Sequence, residues 1–376
     1  MIDAGTKALL PDGLRDGLPP DAEHESEIVA RLVESFGGFG YARVEPPLVE
    51  FEDTLLDGAA ASIANATFRL MDPVSQRMMG VRADMTLQVA RIAMSRLSNA
   101  PRPLRLAYAG QVLRVRGSQS RPEREFRQAG VELIGAGESA ADAEVIVLAA
   151  TTLADVGVSG VSVDINLPTL VPGLCEELDA PARDRLRVAL DRKDAEAAAA
   201  EGGHLFAQLL GATGPVPSAL ESLQAIKLPP EAAAERTRLA EVVSLVQAVR
   251  SDIMITVDPV EHRGFEYHSG LSFTLFARGV RGEIGRGGRY VAGDGETATG
   301  FSLFLDSIMR AVPPMPARSR VFVPFGGPTD AAESVRSKGW VGVAGLAPVD
   351  DVQGEARRLG CTHIFEGGEL VRLGDD

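Results

Sequence analysis

The chain has 376 residues, a length that corresponds to two or three domains. Hydrophobic residues make up 45% and charged residues 24% of it, so a sizeable core can form. The formal net charge is −14, and nearly all of the cations are arginines. This composition disfavours extended binding of nucleic acid, because phosphate backbones are held by clustered cations, but it allows one local arginine-lined site.

Cysteine content and hydropathy argue against several other classes. Cys175 and Cys361 are far apart and belong to no paired motif, which disfavours a disulfide framework and a zinc knuckle. The N-terminal sequence has no apolar core of signal-peptide length. The most apolar later run, 143–158, is short and broken by polar residues. These features predict a cytoplasmic protein without a membrane span.

The first half of the chain alternates helical and strand patterns. Apolar residues at helical spacing predict a helix over 22–36, and Pro46 interrupts the strand-like segment that follows. Residues 104–116 and 124–135 are β-rich runs joined by a polar loop, which predicts a long antiparallel hairpin. Further predicted elements are a helix over 85–97, a helix near 138–155 and a strand over 161–167.

The composition then changes. Alanine, leucine, glutamate and arginine dominate 168–250 at helical spacing, which predicts a helical insertion. Strands are predicted over 251–259 and 272–279, followed by a glycine-rich turn and an apolar helix at 300–312. Prolines mark a linker, and 320–376 alternates strands and helices as a small α/β module does. The chain as a whole reads as an α+β protein.

Polar residues cluster on the predicted hairpin. Gln128 and Glu132 share a strand face with Arg124, because side chains alternate along a strand. An arginine, an amide and a carboxylate on one face can bind a zwitterion or a phosphate. A solvated polar strand is the alternative, and the pattern alone favours it. The arginines that border the turn are Arg114, Arg116, Arg121 and Arg124.

A second polar group spans 261–293. Its members are Arg263, Tyr267, His268, Tyr290 and the GRGGRY segment. Glycines let a backbone approach a ligand, and arginine between aromatic rings suits an anion or a flat ring. A hairpin with glycine turns explains the pattern equally well. A metal site at His262 and His268 is disfavoured, because no third ligand stands at useful spacing.

A third group, VRADMT at 81–86, precedes a predicted helix. Capping of that helix by Asp84 or Thr86 is the interpretation that sequence rules favour. No Ser/His/Asp or Cys/His grouping is recognisable in the sequence. Spacing alone therefore indicates no catalytic mechanism.

In chain order, these segments resemble the motifs of the histidyl-tRNA synthetase family, which has a class II synthetase fold. The segments are LPDGLRDGLP (10–19), EPPLVEFEDTL (45–55), VRADMT (81–86), RVRGSQSRPEREFRQAGVELIG (114–135), RGFEYHSG (263–270), GGRY (287–290) and TGFSLFLDSI (299–308). The Arg114-to-Gln128 spacing is that of the family's second motif. RGFEYHSG and GGRY resemble its histidine-specific signatures, and the likeness covers 9–312.

The resemblance implies a domain organisation. Residues 1–167 and 251–315 are expected to form a class II aminoacyl-tRNA synthetase-like core with an antiparallel sheet. The helical insertion at 168–250 interrupts this core. Residues 320–376 are expected to be a truncated form of the family's anticodon-binding α/β module.

The departures from the family's motifs concern ATP. Amino acid activation needs arginines of the second and third motifs to hold the ATP phosphates. Arg114 retains the first as a residual phosphate-binding residue, but Ser307 stands at the position of the third-motif arginine. Arg116 replaces a glutamate beside the adenine site. In the loop of the second motif, Pro122 stands where the family has an arginine, and the arginine of this chain, Arg121, lies one residue earlier. Losing several such charges is expected to abolish adenylation.

This pattern resembles that of the synthetase-like regulatory subunits of ATP phosphoribosyltransferase. It implies a non-catalytic homodimer that binds the short-form catalytic subunit, activates it at the first step of histidine biosynthesis and helps mediate histidine feedback. No cofactor, metal or tRNA is implied. The alternatives are a divergent but functional histidyl-tRNA synthetase and an orphan paralogue that acts as a binding module.

The resemblance also implies a histidine site. Asp84, Thr86 and Gln128 would hold the α-amino group of the ligand. Glu132, as an ionised carboxylate with no other partner, would accept a hydrogen bond from the imidazole. Asp84 is one methylene shorter than the family's glutamate, which lengthens the contact or requires a water.

The other half of this implied site comes from the second polar group. Arg263 would face the ligand carboxylate, while Tyr267 and Tyr290 would flank the ring. His268 replaces a tyrosine that would touch the imidazole. Weak histidine binding is therefore expected.

Overall fold

The computed structural model of the chain describes residues 9–57, 61–117, 121–261, 267–314, 318–328 and 330–374. Contacts divide the chain into two units, Met1–Pro313 and Pro314–Asp376. The segment predicted as a helical insertion belongs to the first unit. Its helices contribute to the same hydrophobic core as the large sheet.

Strands of the first unit are β1 (Ala42–Arg43), β2 (Val49–Phe51), β3 (Phe68–Met71), β4 (Met78–Val81), β5 (Leu104–Leu113), β6 (Glu125–Ile134), β7 (Val161–Asn166), β8 (Gly214–Pro215), β9 (Met254–Asp258), β10 (His268–Ala277), β11 (Gly285–Val291) and β12 (Thr297–Phe304). In the described residues, nine of them form one sheet in the order β1-β5-β6-β12-β11-β10-β7-β9-β8. From β5 to β7 in this order every pairing is antiparallel. Strands β2, β4 and β3 form a separate small sheet.

Helices of the first unit are α1 (Asp21–Gly38), α2 (Glu52–Leu55), α3 (Ala61–Ala66), α4 (Thr86–Ser95), α5 (Ser139–Asp155), α6 (Leu170–Leu174), α7 (Ala180–Asp191), α8 (Ala195–Gly202), α9 (His204–Gly211), α10 (Ser218–Ala225), α11 (Pro230–Val249) and α12 (Leu305–Ala311). The helices predicted at 22–36, 85–97 and 138–155 are confirmed as α1, α4 and α5. Their ends differ from the prediction by a few residues, as helix termini commonly do.

The large sheet separates two sets of buried side chains, because alternate residues of a strand point to opposite faces. On one face, Val131 and Leu133 of β6 belong to the same core as Ile146 of α5. On the other face, Tyr108 of β5 belongs to a second core with Val89 of α4. The even-numbered residues of β6, Gln128 and Glu132 among them, therefore face the side covered by α4.

The predicted hairpin is confirmed as the antiparallel pair of β5 and β6, with Gln128 opposite Gly110 and Glu132 opposite Leu106. The interpretation as a solvated polar strand is wrong. Strand β6 is buried from Gln128 to Ile134 because β5 and β12 flank it and both of its faces are covered.

Two predictions near 285–304 are wrong. The glycine-rich segment predicted as a turn is strand β11, and the helix predicted at 300–312 begins only at Leu305, after strand β12. A Cβ on Gly287 would lie 2.2 Å from the carbonyl oxygen of Gly300, so the glycines permit close pairing of these strands. An apolar run buried on both faces lacks the alternation that identifies a strand.

The second unit carries its own sheet. Its elements are β13 (Arg320–Val323), α13 (Ala331–Ser337), β14 (Val341–Ala344), α14 (Val352–Arg358), β15 (His363–Glu366) and β16 (Glu369–Arg372). The strand order is β14-β13-β15-β16, and all pairings except that of β15 with β16 are parallel. The alternation of strands and helices predicted for 320–376 is confirmed. Its relation to an anticodon-binding module stays a prediction.

Candidate functional site

A cavity of about 240 Å³ opens on the sheet face that α4 covers. It is smaller than the pockets of drug-sized ligands, which suits a small polar molecule. The side chains and backbone that line it belong to Ile63, Ala66, Ala83, Asp84, Thr86, Leu87, Arg114, Arg116, Gly117, Arg121, Glu123, Glu132, Tyr267, Arg286, Gly287, Gly288, Tyr290, Gly300, Phe301 and Ser302. Six of the predicted site residues are among them: Asp84, Thr86, Arg114, Glu132, Tyr267 and Tyr290.

Gln128 lies behind the cavity wall and orients Asp84. Its side chain is fully buried, and its Nε2 donates to Asp84 Oδ2 at 2.8 Å and to Ser302 Oγ at 2.6 Å. Its Oε1 accepts from the Met85 amide at 3.0 Å. Because these bonds use both donors and the oxygen of the amide, Gln128 fixes the carboxylate of Asp84 and does not line the cavity with it.

Asp84 also bonds to the start of helix α4. Its Oδ1 accepts from the Thr86 amide at 2.9 Å and so satisfies one backbone donor of the first turn. The N-cap itself is Met85, which makes no side-chain capping bond, so the prediction that Asp84 or Thr86 is the N-cap is wrong. Arg82 is turned away and donates to the backbone oxygens of Gln111 and Pro46. Asp84 and Thr86 are therefore the polar residues of the VRADMT segment whose side chains line the cavity.

Glu132 forms the polar floor of the cavity. It is 1% exposed, its Oε2 accepts from the Tyr290 hydroxyl at 2.9 Å, and its Oε1 accepts from the Tyr108 hydroxyl at 3.3 Å. Burial raises the pKa of Glu132 to about 8, against the lowering effect of these hydrogen bonds, while nearby Asp84 raises it further. The expectation that Glu132 has no other partner is therefore wrong, and its raised pKa favours the protonated form in the absence of a ligand.

Glycines create the space that Glu132 occupies. A Cβ on Gly300 of β12 would lie 2.1 Å from Glu132 Oε2. A Cβ on Gly130 would lie 2.6 Å from the Tyr108 hydroxyl oxygen. Larger residues at either position would displace the carboxylate or the tyrosine, so these two positions require glycine for steric reasons.

Aromatic rings close one side of the cavity. The ring centroids of Tyr267 and Tyr290 are 6.1 Å apart in an edge-on arrangement. His268 lies 4.0 Å from the Tyr267 ring, is 6% exposed and stands outside the cavity lining. The structure thus separates His268 from the other predicted ligand contacts. Arg263 and His262 lie outside the described residues.

Arginines line the other end of the cavity. Burial lowers the pKa of Arg114 to about 10, and the neighbouring charges of Arg286 and Arg121 lower it further. Arg114 Nε donates to the Ala83 backbone oxygen at 3.2 Å. Arg124 does not join this group, since it bonds to the Asp12 backbone oxygen. The cavity therefore has an acidic floor and a basic end, an arrangement that suits a zwitterion.

Arg121 is held by the segment that corresponds to the third motif. Its Nε lies 3.1 Å from Asp306 Oδ2, and its guanidinium carbon lies 3.7 Å from the Phe304 ring centroid. Ser307 is 1% exposed and accepts a hydrogen bond from Arg310 at 3.0 Å. The side chain at the position of the third-motif arginine is thus a buried hydroxyl.

Sequence reasoning missed several polar residues at the cavity. Ser302 and Arg286 line it, Arg286 comes from the segment predicted as a turn, and Tyr108 lies beneath the lining, where it shares a hydrogen bond of 2.9 Å with Ser302. The even-numbered alternation of β5 and β12 could have placed Tyr108 and Ser302 on the cavity face. Placing Ser302 in this way required the prediction of strand β12, whose residues from 300 onwards were instead predicted as a helix.

Comparison with known proteins identifies the family. A family model described as histidyl-tRNA synthetase matches residues 13–308. The ATP phosphoribosyltransferase regulatory subunit of Paramagnetospirillum magneticum is 56% identical over 99% of this chain and 100% of that protein. That of Rhodospirillum centenum is 54% identical over 98% and 97%. The chain belongs to the ATP phosphoribosyltransferase regulatory subunit family.

Solved structures show the same fold. A Bacillus halodurans protein described as an ATP phosphoribosyltransferase regulatory subunit/histidyl-tRNA synthetase superposes with a TM-score of 0.81 at 25% identity, over 93% of this chain and 96% of that one. Histidyl-tRNA synthetase from Nostoc superposes with a TM-score of 0.76 at 17% identity, over 98% and 97% of the two chains. The predicted class II synthetase-like α+β fold of this regulatory-subunit family member is confirmed.

Two searches of the described residues gave negative results. No helix in the described ranges is long and apolar enough to span a membrane. No group of three or more histidine, cysteine, aspartate or glutamate side chains in these ranges could hold a metal ion. His262, which the sequence analysis considered with His268 as a metal ligand, lies outside these ranges.

Proposed function

We propose that this protein is a non-catalytic regulatory subunit that binds and activates the short-form ATP phosphoribosyltransferase catalytic subunit, at the first step of histidine biosynthesis, and helps mediate histidine feedback. One observation carries the proposal: five of the residues expected to bind histidine, Asp84, Thr86, Glu132, Tyr267 and Tyr290, line one cavity, whereas a buried serine, Ser307, stands where the resemblance places the arginine that adenylation needs. Closely similar relatives are named ATP phosphoribosyltransferase regulatory subunits, which supports the regulatory role.

Histidine is the ligand that we propose for the cavity. Asp84 would accept from its α-amino group, with Thr86 beside it, and Glu132 would bond to the imidazole between Tyr267 and Tyr290. The resemblance adds Arg263 for the carboxylate, and Gln128 and His268 would act from behind the wall. Arg114 would remain as a residual anion contact.

We further propose that adenylation is lost. A buried serine cannot supply the positive charge that stabilises the transferring α-phosphate, and removal of one such group typically lowers a rate by about 10²–10³-fold. Arg116 lines the cavity with the opposite charge to the family's glutamate. Arg121 is committed to Asp306 and Phe304. Binding of tRNA is not proposed, since the chain is acidic and lysine-poor.

A homodimer would form through the small sheet of β2, β4 and β3. Apolar side chains on and around this sheet are exposed, namely Leu70, Met71, Val74 and Met78, which we call the apolar edge. Val74 is 89% exposed, and exposed apolar groups of this kind mark protein interfaces. The first-motif segment 45–55, which the family uses for dimerisation, supplies β2.

The domain assignment and location stay proposals. Residues 1–167 and 251–315 would be the synthetase-like core, 168–250 its insertion and 320–376 the truncated anticodon-binding-like module. Cys175 and Cys361 are both free thiols, which fits a cytoplasmic setting.

The experiment combines the purified protein with the purified short catalytic chain. Phosphoribosyl transfer is measured for the catalytic chain alone and for the equimolar mixture, each with and without histidine. We expect a higher rate or a tighter substrate affinity in the mixture, and inhibition by histidine. An unchanged rate and affinity would contradict the proposal.

A second assay tests the lost activity. Histidine-dependent exchange between ATP and pyrophosphate is measured for the protein alone, with a histidyl-tRNA synthetase as the positive control. We expect no exchange. Exchange at synthetase-like turnover would instead support a divergent synthetase.

A further inference from the structure

A buried cluster of three charges lies on the back of the cavity wall. Asp142, in the first turn of α5, is completely buried between Arg238 of α11 and Arg289 of β11. Asp142 Oδ2 accepts from Arg238 Nε at 2.8 Å and Nη2 at 2.7 Å. Asp142 Oδ1 lies 2.9 Å from Arg289 Nη2. We call these three residues the Asp142 clamp.

The remaining arginine donors extend the clamp to the backbone that leads from β6 into α5. Arg289 donates to the carbonyl oxygens of Ala136 and Glu138, at 2.9 and 3.2 Å. Arg238 donates to the carbonyl oxygen of Gly137 at 2.8 Å. The clamp therefore joins a cavity strand, a core helix and a helix of the segment predicted as an insertion.

Stability alone is a weak explanation for such a cluster. Replacing buried ion pairs by apolar residues of similar volume is often neutral or stabilising, because desolvation offsets the attraction. What the clamp supplies is fixed geometry, since each arginine meets the carboxylate with directed hydrogen bonds.

The geometry matters because Arg289 precedes Tyr290. Successive side chains of a strand point to opposite faces, so Arg289 enters the clamp while Tyr290 enters the cavity and donates to Glu132 at 2.9 Å. The strand before them contains Gly287 and Gly288, which provide no side chains to hold it in place. The clamp thus fixes the side chain of the residue next to Tyr290, on a strand that also pairs with β10 and β12.

We propose that the Asp142 clamp positions Tyr290 against Glu132 and makes the ligand affinity of the cavity depend on the seating of helix α11. Its members are positioning residues, because none of them lines the cavity. The expected effect on ligand affinity rests on the proposed histidine site. The placement of Tyr290 against Glu132 by the clamp does not depend on which ligand binds.

The test uses Arg238→Met, which removes one arginine of the clamp from a partly exposed position while Asp142 keeps Arg289. The first readout needs no ligand: infrared difference spectra follow the titration of the Glu132 carboxyl, identified by its loss in Glu132→Gln. Since the Tyr290 hydrogen bond lowers the pKa of Glu132, loosening it should raise the midpoint by roughly 0.5–1 pH unit. Histidine affinity, measured by calorimetry, should fall about fivefold.

Tyr290→Phe separates positioning from a general structural effect. If the clamp acts through the Tyr290 hydroxyl, Arg238→Met should change neither readout further in the Tyr290→Phe background. Arg238→Lys, which keeps a cation beside Asp142, should change the Glu132 midpoint and the histidine affinity less than Arg238→Met does. Arg236→Met is the matched control, because Arg236 lies on the same helix and bonds to the backbone of Leu223 and Ile226.

The outcomes are distinct. An unchanged Glu132 midpoint in Arg238→Met, or equal effects of Arg238→Met with and without the Tyr290 hydroxyl, would overturn the positioning role. A shifted midpoint in a protein that does not bind histidine would retain the positioning role and reject the proposed ligand. A shift of equal size in Arg236→Met would show a general loosening of α11 and overturn the clamp.

Discussion

Replacing Glu132 by glutamine should stabilise the free protein and weaken its binding of histidine. Glu132 is buried beneath the cavity, and its two tyrosine partners do not offset the loss of water, so its pKa rises from 4.5 to about 8. Its protonated form is favoured in the folded chain. Glutamine keeps the shape and avoids ionisation.

The sign and size follow from this pKa. Because the carboxyl holds its proton more tightly when folded, its contribution to stability is fully present below about pH 4.5 and is lost as the pH rises towards 8. At pH 8 the loss is on the order of 4 kcal/mol. Glu132→Gln should therefore be more stable than wild type at pH 8 by up to this amount. At pH 4.5 the two should be similar.

The assay is urea unfolding followed by circular dichroism at both pH values, with calorimetry of histidine binding at pH 7.5. Histidine affinity should fall by about 10- to 100-fold, since the variant cannot pair as a carboxylate with the imidazole. Glu144→Gln is the control: Glu144 bonds to Arg105 and Tyr41, which lowers its pKa, so this variant should lose stability at pH 8. Lower stability of Glu132→Gln at pH 8, or unchanged histidine affinity, would refute the reasoning.

Two further predictions concern pH and assembly. The buried floor favours a complex with one proton shared between Glu132 and the imidazole of the ligand. Histidine affinity should therefore be greatest between about pH 6.5 and 8 and fall on either side of this range. Calorimetry that finds the same affinity at pH 5.5 and 7.5 would contradict this. Met71 and Met78 face each other across β3 and β4. If the proposed homodimer forms through this sheet, the double variant Met71→Asp/Met78→Asp should sediment as a monomer, whereas Val249→Asp, at an exposed position on α11, should remain a dimer.

The sequence could predict the elements that carry regular patterns. Alternation along β6 places Gln128 and Glu132 on one sheet face, and the structure confirms that both point to the side of α4. The same rule misplaces Arg124, because this residue precedes the strand and its side chain turns to the Asp12 backbone. Periodicity therefore identifies a face only within the strand that produces it.

Other features of the site depend on contacts between distant segments. Strand β12 is buried on both faces and shows no regular alternation of polar and apolar residues, so no local signal separates it from a helix. Ser302 and Gly300 were missed together with it. The raised pKa of Glu132 results from its complete burial, which only the assembled sheet provides, and which outweighs the lowering effect of its hydrogen bonds to tyrosines of β5 and β11. Motif spacing could identify the residues of the site but not their charge states.

The two ends of the cavity differ in a way that bears on function. At the floor, an uncompensated carboxyl is kept in a fully buried position, where a neutral side chain would make the free chain more stable. At the basic end, Ser307 is neutral and the neighbouring Arg121 is paired with Asp306. A group that disfavours folding but suits a hydrogen-bonding ligand is the expected mark of a binding site. A serine at position 307 fits the proposed loss of adenylation, because adenylation needs a positive charge at the transferring α-phosphate. Together these features support a cavity that senses an amino acid without activating it.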